Sequence, residues 1–227
     1  MWKSILKVKT EKHLGHTFTT GNHTHLINID SVIRDLKVRT NIIINQFKPI
    51  CWQAKIKLYI SQCSSLYGSQ LWRLDDRQLD ELIKTWNICC RRLLGLAPHT
   101  RTYVIPHIMD VMPIKYIIMS RILNFFTSGL KHENEIISLF FKNVLTSHTS
   151  YMMQNVNTII NEFDIKYNDL FEMNKNKIRC IISSKSDDPD WRGSMIMDLL
   201  SLRENQNSCN LSPAEVASLL SYVSTAR

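Results

Sequence analysis

The chain has 227 residues, 44% hydrophobic and 21% charged, enough to bury a sizeable core. Six Gly and six Pro leave few forced turns, which argues against a many-stranded β fold and for helices. The formal net charge of +8 suits a polyanionic partner, and no run approaches the ~20 apolar residues of a membrane span.

Residues 4–10 and 14–20 alternate Ile, Val, Thr and Phe with polar residues on either side of Glu11-Lys12, which predicts a small β-hairpin. A hairpin is marginal alone in water, so this one reads as the end of a larger sheet. Ile29, Ile33, Leu36, Thr40, Ile43 and Phe47 recur at helical spacing, with Asn28 or Asp30 as cap and Pro49 as stop. A second helix is expected over 51–66, with Trp52, Ile56, Tyr59, Ile60, Cys63 and Leu66 on one stripe and Tyr67-Gly68 as its end. A third opens at Asp75-Asp76, turns Leu79, Leu82, Ile83, Trp86, Cys90 and Leu93 inward, and closes at Gly95. Its acidic start and its last-turn Arg91-Arg92 both complement the helix dipole.

Pro98, Pro106 and Pro113 make 97–113 a connector, and three further helices are expected over 114–127, 133–145 and 152–163, the first ended by Gly129. From 174 to 210 the chain turns polar, most loop-like over 183–190, with a short helix expected over 191–203. Ser212-Pro213-Ala214-Glu215 combines Ser as cap, Pro at the first position and Glu at the third, and starts a last helix toward Thr225. The expected fold class is mainly α: a helical bundle preceded by a small N-terminal β-hairpin, with further helices C-terminal. It divides into 1–27, 28–100, 101–173 and a polar, partly flexible 174–227.

Charge is unevenly distributed. Residues 1–130 carry 18 Lys and Arg against 8 Asp and Glu, while 131–227 carry 10 against 12. Nucleic acid is therefore expected on the first part. Lys37, Arg39, Lys48, Lys55, Lys57, Arg73, Arg91 and Arg92 are interleaved there with Trp52, Tyr59 and Trp72. Cations of this kind neutralise phosphates and aromatics pack on sugars or bases. On an amphipathic helix the same residues also serve as the wet face and the core.

The remaining candidates read as structural. Paired carboxylates such as Asp75-Asp76 can hold Mg²⁺ for phosphoryl transfer. Here they directly precede a helical period, where aspartates satisfy open backbone N–H groups. Asp187, Asp188 and Asp190 belong to a Pro-containing loop. His13, His16, His23 and His25 are close in sequence, but no Cys pair or His-Glu-x-x-His completes a zinc set. Read along one strand, His13 and His16 also fall on opposite faces. Of the six cysteines, Cys89-Cys90 adjoin Arg91-Arg92, which can activate a thiol. Their place on a Trp- and Leu-lined helix makes Cys90 a core residue. No Cys-x-x-Cys pair is present, and the start Met1-Trp2-Lys3 is too charged for a signal peptide. The expected setting is a reducing, intracellular one, nuclear or cytoplasmic.

Lys12-His13-Leu14-Gly15-His16, then Ser64-Ser65-Leu66-Tyr67-Gly68-Ser69-Gln70-Leu71-Trp72, then Arg91-Arg92-Leu93-Leu94-Gly95-Leu96 follow one another along the chain. In that order they resemble the tail of a reverse transcriptase from LINE-type, jockey-like non-LTR retrotransposons. The likeness is clearest over 7–130 and looser beyond. It implies that His13, Leu14 and Gly15 correspond to the primer grip, where the family usually has an aromatic at the His13 position. It implies that the helices between Ile29 and Leu96 correspond to a thumb that follows the template–primer backbone, and that the Ser-Pro-Ala-Glu-Val helix corresponds to one that often ends these reading frames.

The parent family is an RNA-directed DNA polymerase that uses Mg²⁺ on an Asp-Asp hairpin placed before the Leu-Gly turn. The resemblance therefore implies a fragment lacking the palm and fingers, with no cofactor of its own and no polymerase activity alone. Met1 would enter the parent frame partway. The implied partner is RNA/DNA template–primer duplex, bound weakly, with no membrane role. The alternatives are a helical protein-interaction module that associates through apolar surface left by the missing palm, or a decayed copy without function.

Overall fold

Short alternating segments pair first. Strands β1 (Thr10–His13) and β2 (His16–Thr19) run antiparallel, with Thr10 opposite Thr19 and His13 opposite His16. The computed structural model describes residues 10–13, 16–19, 29–63, 66–102, 104–147 and 150–186. Glu11 and Lys12 thus lie within a strand, where the sequence had suggested the turn. Leu14 and Gly15, between the strands, lie outside the described residues. A two-residue connection containing Gly suits a hairpin, whereas Glu-Lys has no residue that readily takes positive φ. His13 and His16 are register partners on two strands, so the one-strand geometry behind their opposite-face reading does not hold.

Eight helices carry the rest of the described fold, which is mainly α. Helix α1 (Ile29–Gln46) buries Ile29, Ile33, Leu36, Thr40 and Ile43, the stripe its spacing predicts. The Thr40 hydroxyl satisfies itself by donating to the Leu36 carbonyl at 2.6 Å. Helix α2 (Trp52–Cys63) buries Ile56, Tyr59 and Cys63. Beyond it Gly68 takes a left-handed φ of 78°, and a 3₁₀ turn follows at Ser69–Leu71. Helix α3 (Arg77–Leu94) begins at the Asp76 cap, whose carboxylate accepts from the Gln78 N–H at 2.8 Å, and ends at left-handed Gly95.

The order of contacts gives the topology. Gln78 of α3 reaches Asp30 at the start of α1, while Arg92 reaches Asn41 near its end, so α1 and α3 run parallel. Helix α2 returns between them, and the Tyr59 and Trp86 rings pack 4.9 Å apart at the α2–α3 contact. These rings remove large apolar area from water, worth about 1.5–3 kcal/mol per fully buried large side chain.

The predicted connector contains a helix, α4 (Val104–Met109), that buries Ile105, Ile108 and Met109. Pro106 is tolerated because it sits in the first turn, where no intrahelical N–H is required. Helix α5 (Ile114–Leu130) is central, packing against α6 (Glu135–Thr146), α7 (Tyr151–Phe163) and α8 (Lys175–Ser186). It ends at Leu130, one residue past the Gly129 expected to close it, and Phe141 of α6 lies where a Gly129 side chain would project. Lys115 clamps α5 to α7 through both oxygens of Glu162 at 3.0 Å. Helix α8 occupies part of the stretch expected to be polar and loop-like, anchored by fully buried Ile178 and Ile182. One connected core extends from Ile29 to Ile182. The helices expected over 191–203 and 212–225 lie outside the described residues.

Candidate nucleic-acid interface

The basic residues separate into those the fold leaves open and those it uses internally. Lys37 projects from α1, exposed, one turn before Asn41, and Asn41 accepts from the Arg92 guanidinium at 2.8 Å. Burial pushes the Cys89 thiol up in pKa, opposed by a hydrogen bond with Thr40 and by the charges of Arg92 and Lys37. Arg92 and Lys37 thus flank the α1–α3 contact, one through its bond to Asn41 and the other a turn before Asn41 on α1. Arg34 shares their face of α1 at helical spacing and is exposed. Sequence reasoning passed over Arg34 and Asn41; their i, i+3, i+7 spacing with Lys37 is the signal that finds them.

A second group gathers around the α1–α2 turn. The Lys55 ammonium donates to the Lys48 carbonyl at 3.2 Å, and Lys57 of α2 is exposed. Arg39 leans the other way across α1 and donates to the Gln62 carbonyl at the end of α2.

Arg73 and Arg91, like Arg39, are used within the fold. Arg73 holds Asp75 with a two-point fork, Nε to Oδ1 at 2.9 Å and Nη2 to Oδ2 at 2.6 Å. That pairing raises the arginine pKa and lowers the aspartate's. Arg91 donates to the Thr100 carbonyl and the Thr102 hydroxyl, both at 2.9 Å, and ties the chain after Gly95 back onto α3. Leu14 and Gly15 fall outside the described residues, and for His13 the backbone pairing is the whole finding.

The carboxylates do not converge. Asp75 belongs to Arg73 and Asp76 caps α3, and among the described residues no three metal-ligating side chains form a group. The buried thiols are also held protonated. Burial pushes Cys63 up to about 11 and moves Cys90 higher still, so neither is ionised near neutrality. Among the described residues no helix is long and apolar enough to cross a membrane.

What the arrangement can do is hold anions at exposed cations on the three-helix unit. Lys37 and Arg92 are seated on the seam between parallel helices, with Lys48, Lys55 and Lys57 near the adjoining turn. No family model matches the chain, and neither a curated protein nor a solved structure matches it.

Proposed function

We propose that this chain corresponds to the thumb and post-thumb part of a LINE-type, non-LTR retrotransposon reverse transcriptase. Its own activity is weak, salt-sensitive binding of RNA/DNA template–primer duplex, while polymerisation in that family belongs to the palm. The ordered motifs support the family. The observation that carries the activity is exposed Arg92 of α3, braced by Asn41 of α1 one turn along from exposed Lys37. A backbone-following surface needs cations held at fixed spacing, and an arginine braced by a neighbouring amide is one.

A fluorescence-anisotropy titration with a labelled RNA/DNA hybrid, repeated over a range of salt concentrations, tests this. Replacing Lys37, Lys57 and Arg92 together by Glu weakens binding and flattens the salt dependence. On duplex DNA each lost phosphate contact removes ~0.9 from the slope. Unchanged affinity and slope refute the interface. Because Arg92→Glu also removes the bond to Asn41, the pair Lys37→Glu, Lys57→Glu is read beside the triple variant; Arg73 and Arg91 are left intact because their substitution disturbs internal contacts.

A second reading is favoured by α6. Ile136, Leu139 and Phe140 lie one turn apart on its outer side, with Ile136 78% exposed. Such a stripe of exposed apolar side chains suits a helical interaction module. Gel filtration beside the same titration separates the two: a monomer that binds hybrid supports the thumb reading, and an oligomer that does not supports the module.

A further inference from the structure

A groove of about 1220 Å³ runs between the connector after α4, helix α5 and the start of α8. It gathers four cations, Arg121 and Lys131 from α5 and Lys175 and Arg179 from α8, against the single carboxylate of Asp110. They come from both sides of residue 130, so a count of charge by halves of the chain does not reveal them. Lys175 and Arg179 are exposed and one turn apart on the same side of α8.

The other two cations are fixed by the fold. The Lys131 ammonium donates to the Met173 carbonyl at 2.5 Å, which holds it beside the start of α8. The Arg121 guanidinium donates to the Leu66 carbonyl at 2.9 Å and touches the Ser69 hydroxyl at 3.5 Å. The rest of the lining mixes apolar side chains with polar ones such as Ser120 and Asn124. Phe125 is half-buried, its ring held edge-on by Phe141 at 5.4 Å, with Met112, Ile117 and Met173 nearby.

Cations at the rim and a braced aromatic within suit a ligand that is anionic at one end and flat and apolar at the other. The space exceeds what an inorganic anion fills. We propose that this groove binds a nucleoside phosphate, its phosphates between Lys131, Lys175 and Arg179 and its base against Phe125 and Met112. The site is separate from the α1–α3 seam and does not depend on the thumb reading.

The full chain titrated with N-methylanthraniloyl-ATP tests the proposal. Saturable binding is expected, weakened about tenfold or more by the double variant Lys175→Glu, Arg179→Glu, since each charge-assisted bond to phosphate is among the stronger kinds. The charge-conserving pair Lys175→Arg, Arg179→Lys retains most of the affinity, and so does the seam variant Lys37→Glu, Arg92→Glu. In competition, ATP displaces the probe, adenosine does not, and inorganic pyrophosphate is roughly tenfold poorer than ATP because it leaves the apolar wall empty. A 5′-phosphorylated oligothymidylate that competes better than ATP assigns the nucleotide to a strand; the reverse order assigns it to a free nucleotide. Absence of saturable binding overturns the proposal. So does indifference to charge reversal on α8, equal loss in the charge-conserving pair, or pyrophosphate competing as well as ATP.

Discussion

Asn155 of α7 spans the bend between the 3₁₀ turn and α3: its amide donates to the Trp72 carbonyl at 2.7 Å and its Oδ1 accepts from the Leu74 N–H at 2.9 Å. These two bonds tie the segment that leads into α3 to a helix some eighty residues away in sequence. Asn155 is itself buried, only 4% exposed. An asparagine carries both a donor and an acceptor, and this site uses one of each.

Asn155→Leu therefore leaves a carbonyl and an N–H without partners, at a cost of about 2 kcal/mol or more. Asn155→Asp keeps the acceptor for Leu74 and loses the donor for Trp72, so it retains only part of the link. Urea unfolding should rank wild type above both variants. A leucine variant as stable as wild type would show that the bend is held elsewhere.

Gly129 supplies the second prediction. In an open helix interior Gly→Ala stabilises by about 0.8–1 kcal/mol. Here an alanine Cβ would overlap the Phe141 ring, and overpacking costs about 1–3 kcal/mol. The clash outweighs the propensity, so Gly129→Ala lowers the melting temperature. In a Phe141→Leu background, where the ring is gone, the same change should cost much less. Equal losses in both backgrounds would mean the close approach of α5 and α6 is not what the glycine serves.

These two residues mark the limits of what the sequence made legible. The stripes of α1, α2 and α3 were readable because each helix buries one face, and Asp76 and Gly95 mark the ends of α3 by their own chemistry. Gly129 does stand at the end of α5, but the close approach of Phe141 that it also permits is invisible until the neighbouring helix is present. Pro106 concealed α4, and the polar sequence around Ile178 and Ile182 concealed α8, which needs only those two positions to attach to the core. At the interface, the sequence supplied the cations but not their partners. That Asp75 would take Arg73, and Thr100 and Thr102 would take Arg91, depends on turns whose geometry composition does not specify.

The buried thiols give a pH prediction. Cys63 rises from an ordinary value of 9.0 to about 11 in the fold, and Cys89, Cys90 and Tyr59 are also raised, chiefly by burial. The folded state therefore holds these protons more tightly than the unfolded chain. Stability from Cys63 is fully present below about pH 9, where neither state ionises, and falls as pH rises toward about 11. Chemical denaturation from pH 8 upward should show this decline, and Cys63→Ala should flatten part of it. In the native protein iodoacetamide should label exposed Cys51 and Cys180 well before buried Cys63, Cys89 and Cys90. Rapid native labelling of Cys90 would contradict its place in the core.

The last prediction concerns Asp75 and Asp76, adjacent in sequence and different in employment. Asp76 accepts from the Gln78 N–H, so Asp76→Ala should cost about 1 kcal/mol as a lost helix cap. Asp75 holds Arg73 at an exposed site, its side chain 64% accessible, and pairs of this kind contribute about 0–1 kcal/mol. Asp75→Ala should therefore scarcely change stability, while it frees the Arg73 guanidinium and strengthens hybrid binding slightly. A shared magnesium site would behave otherwise. Saturating Mg²⁺ would raise the wild-type melting temperature by mass action, and either substitution would abolish that rise. The geometry predicts no such rise, because one carboxylate is committed to an arginine and the other to a backbone N–H. A Mg²⁺-dependent increase in melting temperature that vanishes in both variants would return the pair to candidacy as a catalytic centre.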